Sequence, residues 1–217
     1  GVNNGVAFNP PSTATYTDMS ENVFAFNNSN ASGGAVYLTN GDFELVNNTF
    51  YKNTAGNSAG GFNSQGGSSS SVLANNIFRQ NTDAAGDGDF VCLSSSPILN
   101  NYLTGVSQFT DTLNLIGQDG LWMTADDGLK LKPVSSILNG GDNSMVKSAI
   151  DITGAARIQY ALVDPGAYEN ENVVTRWYVS AAQDSISPDG TSWVTAFPKF
   201  QDGVDAAKTG DSVWVAH

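Results

Sequence analysis

The chain has 217 residues, 40% of them hydrophobic and 14% charged, with 21 acidic against 9 basic side chains and a formal net charge of −12. That balance excludes nucleic acid as a partner, because phosphate neutralisation needs clustered Lys and Arg, and it disfavours an anionic membrane surface for the same reason while suiting divalent cations. No apolar run is long enough to insert in a membrane, and a lone cysteine, Cys92, leaves no intrachain disulfide; its setting in "DFVCL" marks it as a small buried hydrophobe.

From the N-terminal side, the first recurring element is "ENVFAFNN" at 21–28, which returns as "NNTFYKNT" at 47–54 and "NNIFRQNT" at 75–82, with "NNYL" at 100–103 as a weaker copy. Asn22, Asn48, Asn76 and Asn101 align, with steps of 26 (22 to 48), 28 (48 to 76) and 25 (76 to 101), and Phe24, Phe50 and Phe78 keep that register. Between the copies lie "SGGAVYL" at 32–38 and "AGGFNSQ" at 59–65, whose glycine pairs Gly33-Gly34 and Gly60-Gly61 are 27 apart (33 to 60). A period in the high twenties is that of a solenoid. Gly, Asn and Ser interrupt every window long enough for an amphipathic helix, and the apolar runs are short and rich in Val, Ile, Phe and Tyr, so each period reads as one coil of two or three short strands.

The repeated residues then have physical work to do. The phenylalanines point inward and stack about one strand spacing, roughly 4.8 Å, apart, and Leu45 and Leu73 stack likewise. The asparagines adopt left-handed corners and bond their counterparts in the next coil as a ladder. The glycine pairs allow a tight corner or a close backbone approach. "SQGGSSSSV" at 64–72 is a polar loop.

Phe24-Ala25-Phe26-Asn27, Phe50-Tyr51-Lys52-Asn53 and Phe78-Arg79-Gln80-Asn81 resemble the F-x-x-N element of polymorphic outer-membrane protein repeats, and Gly33-Gly34-Ala35-Val36 resembles their G-G-A-I element. More broadly the chain resembles the right-handed parallel β-helix domains of large secreted bacterial surface proteins. The resemblance implies an all-β, right-handed parallel β-helix with one short capping α-helix near the C-terminus, placed outside the cell or on its surface. "DGLWMTADDGLKLKPVSSILNGGDN" at 119–143 and "DITGAARIQYALVDPGAYE" at 151–169 are similar to the way such domains finish: a last coil, an S-x-I-L-N-x-G turn and a closing D-x-G-A-Y-E. Residues 1–169 are thus expected to hold the coils and their closing segment, and "NENVVT" at 170–175 a polar linker. Residues 176–217 resemble the start of a following unit. There "WYVS" and "SVWVA" are strands, flanking an amphipathic helix with Phe197, Phe200, Val204 and Ala207 on one face, closed by Lys208 and Gly210. Trp193 and Trp214 are expected beneath that helix. "SVWVAH" would lead into another "GVNNGVAF", so the chain reads as one period of a tandem or head-to-tail array.

Chemistry is sparser. Asp119, Asp126 and Asp127 in "QDGLWMTADDG" form the foremost candidate metal site, with Asp83, Asp87 and Asp89 in "TDAAGDGDF" as a second, because calcium takes carboxylate and carbonyl oxygens from glycine-bearing loops. Parallel β-helices include pectin lyases and polygalacturonases, and Asp126-Asp127 with Arg157-Ile158 faintly echo the hydrolase pattern. Adjacent residues of an extended chain point to opposite faces, however, and the one histidine is His217, so no catalytic residue is assigned and no enzyme is expected. Trp122, Trp177, Trp193 and Trp214 could stack on sugar rings. The expectation is a structural or adhesive protein whose partners are neighbouring copies of itself and surface glycans or proteins, with calcium as the one candidate cofactor.

Overall fold

The asparagine motif winds into coils of four short strands, rather than two or three. The first coil holds β1 (Tyr16–Ser20), β2 (Val23–Ala25), β3 (Asn28–Ser29) and β4 (Val36–Leu38); the second holds β5 (Asp42–Val46), β6 (Thr49–Tyr51), β7 (Thr54–Ala55) and β8 (Phe62–Ser64). The third holds β9 (Val72–Ala74), β10 (Ile77–Arg79), β11 (Thr82–Asp83) and β13 (Phe90–Cys92), with β12 (Gly86–Asp87) folded back on β11, and β14 (Ile98–Leu99) and β15 (Tyr102–Leu103) begin a fourth. The structure, a computed structural model, describes residues 16–92, 98–103, 108–133, 135–159, 162–170, 176–207 and 211–216, Asp87 by its backbone alone. The expectations placed on Gly1–Phe8, on 171–175 of the linker, on Lys208 and Gly210 and on His217 lie outside these residues.

Strands from successive coils pair in parallel, giving the sheet orders β1-β5-β9-β14, β2-β6-β10-β15, β3-β7-β11 and β4-β8-β13. The extra strand, β3 and its equivalents, is two residues long, too short to leave a periodic signal in the sequence. The period varies because loops absorb the difference. Leu38 pairs with Ser64 but Glu44 with Val72, so the glycine-serine loop of the second coil is two residues longer than its counterpart in the first.

Inside the coils, Phe24, Phe50 and Phe78 stack with ring centroids 4.8 and 4.6 Å apart and planes within 14° and 5° of parallel. Met19, Leu45, Leu73 and Ile98 form a second column and Val36, Phe62 and Phe90 a third. Cys92, half-buried, packs at the end of this core.

The asparagines form two ladders. Asn48 Oδ1 accepts both the backbone N–H and the side-chain amide of Asn22, at 3.0 and 3.1 Å. Asn76 does the same for Asn48 and Asn101 for Asn76. Asn27, Asn53 and Asn81 repeat the pattern one corner later, and Asp89 Oδ1 ends that ladder by accepting from Asn81 at 2.9 Å. These are not the left-handed residues, contrary to the expectation from sequence. The left-handed conformation belongs to the residue before each ladder asparagine: Glu21, Asn47, Asn75 and Asn100 at one corner, Phe26, Lys52 and Gln80 at the other, with φ between 48° and 58°. One residue turns the chain, and the next is thereby aimed into the coil, where its amide meets its neighbours.

The glycine register also shifts by one. Gly34 aligns with Gly60, 26 residues on (34 to 60), and Gly60 N bonds Gly88 O, so the column is Gly34, Gly60, Gly88. A Cβ on Gly34 would meet the carbonyl oxygens of Gly60 and Thr54, and one on Gly60 those of Thr82 and Asn53. Close approach, not left-handedness, fixes these positions, since Ala59 occupies the left-handed site that Gly33 fills in the first coil.

The described residues of 108–132 and 137–170 do not add the expected last coil. They lie along the outer face of the β2-β6-β10-β15 sheet, mostly as turns, with antiparallel bridges Phe109–Leu131 and Ile150–Ala156 and a 3-10 turn at Asn143–Met145. Strand alternation sends Phe50 inward and Tyr51 outward, so Tyr51 and Ile77 form a second core with Phe109, Leu129, Leu131, Leu138 and Tyr168. The left-handed asparagines anchor it: Asn47 Nδ2 donates to Asp164 O, and Asn75 exchanges bonds with Asp142 through both its amide and its oxygen. Each Asn-Asn pair thus divides its labour, the first side chain outward and the second inward.

The chain divides into a larger unit, Gly1–Lys132 with Ile137–Asn170, and a smaller one, Glu171–His217 with Pro133–Ser136. In the smaller unit β16 (Arg176–Ser180) pairs in parallel with β17 (Ser212–Ala216), and α1 (Phe200–Ala206) packs on both. The helix does not use the face expected. Phe200 and Val204 are exposed, and Gly203 is the buried residue, a Cβ there meeting Val179 and Val213. A helix of two turns presents few positions to its support, and the one lacking a side chain permits the closest approach. Phe197, just before the helix, stacks on Trp177 at 5.9 Å. Trp177 is the tryptophan in this core, whereas Trp193 and Trp214 are half-exposed and flank Tyr178 on the other face.

Truncating Asn76 to Ala orphans the buried backbone N–H of Asn48, at about 1–3 kcal/mol, while the Asn48 side-chain amide keeps Met19 O and Val46 O as acceptors. Phe50→Ala removes the middle ring of the stack, at about 3–5 kcal/mol. Both losses are expected in denaturant unfolding, and an Asn76→Ala midpoint equal to that of the unaltered chain would refute the ladder's role.

Candidate functional site

Three regions of the larger unit concentrate chemistry. In the first, the loop carrying the predicted metal ligands, the carboxylates bind the loop's own backbone. Asp119 Oδ1 accepts from Leu121 N, and Asp126 accepts from Thr124 Oγ1 at 2.8 Å and from Gln118 N and Asp119 N. The Thr124 hydroxyl, followed by the Gln118 amide, holds the Asp126 carboxyl below its ordinary range. Asp127, buried, accepts from Met123 N and from the Tyr168 hydroxyl at 2.6 Å. Burial, and after it the Asp127 bond, pushes the Tyr168 phenol up. Asp126 and Asp127 share the Thr124 hydroxyl, at 2.8 and 3.5 Å, but Asp127 alone reaches the buried Tyr168 hydroxyl. Of the second predicted set, Asp83 accepts from Ala59 N and Ala85 N while Asp89 ends the asparagine ladder. Among the described residues no three His, Cys, Asp or Glu side chains come together in a group that could hold a metal ion.

The second region was not foreseen as a site. Arg157 is fully buried, and its Nη2 donates to Asp164 O and Gly166 O at 2.7 and 2.6 Å. Its Nε lies 3.3 Å from Glu21 Oε2, an ion contact without hydrogen-bond alignment, and Nη1 lies 3.9 Å from Glu169 Oε2. Glu169 accepts from Asp164 N and Gln159 N, and its own N–H goes to Asp151, so two carboxylates face the guanidinium and two further acids bind the chain beside them. Burial pushes the Glu21 carboxyl up to about 8, outweighing Arg157, with Asp151 and Glu169 adding to the rise; burial and then Asp164 push Glu169 up to about 8. The sequence held one signal for this cluster: Glu21 stands where later coils carry Asn47 and Asn75. That the residue pairs with Arg157, far along the chain, is a tertiary fact.

The third region is a cavity of about 670 Å³ at the outer face of β2, between Val23, Ala25 and Phe26 on one side and the 113–123 loop with Trp122 and Met123 on the other. Met123 and Leu121 are more than half exposed, Trp122 somewhat less than half and Leu113 almost wholly so, on a loop whose backbone the aspartates hold in place.

Parallel strands stacked in register, an internal phenylalanine column and inward asparagine ladders define a parallel β-helix, or β-solenoid, protein. No family model matches the chain, and neither curated proteins nor solved structures gave a match.

Glu21 and Glu169 take up protons on folding, since their folded values lie near 8 against an ordinary 4.5. Their contribution is complete below about 4.5 and is lost as pH rises through about 8. The melting temperature is expected to fall between pH 5 and pH 9, and Glu169→Gln to flatten that slope; thermal unfolding across the range checks it, and an unaltered slope in the variant would refute the assignment.

Proposed function

We propose that this chain is an architectural segment of an extracellular bacterial protein, a stalk, filament or adhesin unit that joins neighbouring copies head to tail. The observation that carries the reading is the directional edge of the coils. Among the described residues no strand pairs with the outer edges of β1 and β2 at one end or of β14 and β15 at the other, and an open edge is a pairing template. The ladders share that direction: among the described residues nothing donates to Asn22 Oδ1 or Asn27 Oδ1, while Asn101 is the last acceptor of its series. A heterologous contact between such ends propagates as a fibre unless it closes into a ring. The F-x-x-N and G-G-A-V motifs support the same placement, because the repeats they resemble belong to secreted surface proteins.

A second reading, a carbohydrate- or protein-binding adhesin, is favoured by the exposed Trp122 at the mouth of the cavity, an aromatic face on which a sugar ring can stack. A polysaccharide-degrading activity has the least support, because Asp127 is buried against the Tyr168 hydroxyl and Asp126 is bound to the amides of its own loop. Calcium is a separable element of the proposal. If the Asp119, Asp126 and Asp127 loop takes an ion, chelation lowers the melting temperature; if the carboxylates serve only as turn anchors, it leaves the temperature unchanged.

Electron microscopy of the purified protein tests the main reading: filaments with an axial repeat are expected, and isolated particles at all concentrations, with saturable glycan binding abolished by Trp122→Ala, would replace it with the second.

A further inference from the structure

We infer that copies join through one particular pair of strands: β17 of one chain adds in parallel to β1 of the next, with Thr17 opposite Val213, Met19 opposite Val215 and Ser20 opposite Ala216. The inference rests on the assembly reading above and specifies its contact.

Length and direction come first. Among the described residues β1, β5, β16 and β17 are the five-residue strands, and the others have two or three. β1 is paired in parallel with β5 on one edge and β17 in parallel with β16 on one edge, and no strand of the described residues pairs with the other edge of either. Two parallel ribbons of equal length, each with one edge unmatched, can merge into one parallel sheet without changing either.

Face and register follow from the side chains. Trp177 and Val179 are buried on the face that carries Phe197 and α1, and Val213 and Val215 are their partners on that face. Val215 is nevertheless 55% exposed, an inward-facing valine with no row stacked on it. On β1, Thr17 and Met19 are the inward positions, and Met19 packs on the coil core. The proposed register places Val215 on Met19, extending the column Met19, Leu45, Leu73, Ile98 by Val215 and Val179. A slip of one residue would turn both valines to the outer face, so burial selects the register.

The outer face agrees in charge. Arg176 lies over the Trp214 ring, 3.8 Å from its centroid. The register brings Asp18 beside Trp214, within reach of that guanidinium. Asp18's neighbour across β5 is Glu44, whose cation is Lys147. Among the described residues Asp18 has no ion pair of its own.

The test is disulfide trapping in full-length chains carrying Cys92→Ser. One chain bears Met19→Cys and a second Val215→Cys. Paired parallel strands bring Cα atoms within the span a disulfide needs. Should the inward cysteines disturb folding, the solvent-facing pair Asp18→Cys and Trp214→Cys reads the same register. Expected is a mixed dimer on non-reducing gels that is several-fold more abundant than dimers of either chain alone. It should also exceed the product of the off-register pair Asp18→Cys with Val215→Cys. Equal yields in and out of register overturn the inference, as does a chain bearing both cysteines that closes on itself as a monomer. Sedimentation of the unaltered chain separates the two levels. Association without trapping at this register removes the strand pairing and leaves the assembly reading standing, whereas neither association nor trapping removes both.

Discussion

The structure depends on a buried amide that serves two coils at once. A ladder asparagine accepts from the coil before it, through both backbone and side chain, and donates back to a carbonyl of that coil, as Asn76 does to Leu45 O and Asn101 to Leu73 O. A corner of a tight coil leaves backbone groups without strand partners, and burying them unsatisfied is expensive. The ladder removes that penalty at every turn and fixes the height of the next coil. Phe24, Phe50 and Phe78 can stack face to face only because the asparagines beside them hold the coils in register. Offset aromatic pairs contribute about 0.5–1.5 kcal/mol beyond their burial, so the polar and apolar columns reinforce each other.

Such a column has two faces, and this chain uses both. The left-handed residue before each ladder asparagine projects outward, where Asn47 and Asn75 bind the segment 142–164. The outer face of one sheet thereby becomes the floor of a second core, roofed by turns rather than strands. In the first coil the outward position is Glu21, and the roof answers with Arg157. Breaking a buried ion contact costs more than making it gains, so the cluster serves better as a specification of where the segment sits than as a source of net stability. Burial, with the neighbouring acids adding to it, raises Glu21 and Glu169, placing a proton-dependent contact at the first coil.

That geometry bears on function through what it leaves open. The roof covers one face of the coils, while among the described residues no strand pairs with the outer edges of the strands at either end, and the ladders give the two ends different chemistry. The aspartate-anchored loop that carries Trp122 and Met123 belongs to the same roof and faces the outer side of β2.

The sequence alone determined the coil. Period, inward phenylalanines and the asparagine ladder were legible because a solenoid repeats one local environment, and each repeat imposes the same residue at the same place. What did not repeat was not legible. Four strands rather than two or three, the outer core made by 108–170 and the burial of Arg157 among acids each arise from contacts between segments far apart in sequence. The identity of the left-handed residue was hidden for a different reason: in "NNTF" and "NNIF" both candidates are asparagine, and only Glu21 and Phe26 in the first coil, seen with their backbone angles, show which one turns. The smaller unit repeats nothing. There the choice of Trp177 over Trp193 and Trp214, and of Gly203 as the helix's contact, was made by close packing in three dimensions, which a single pass of apolar periodicity does not encode.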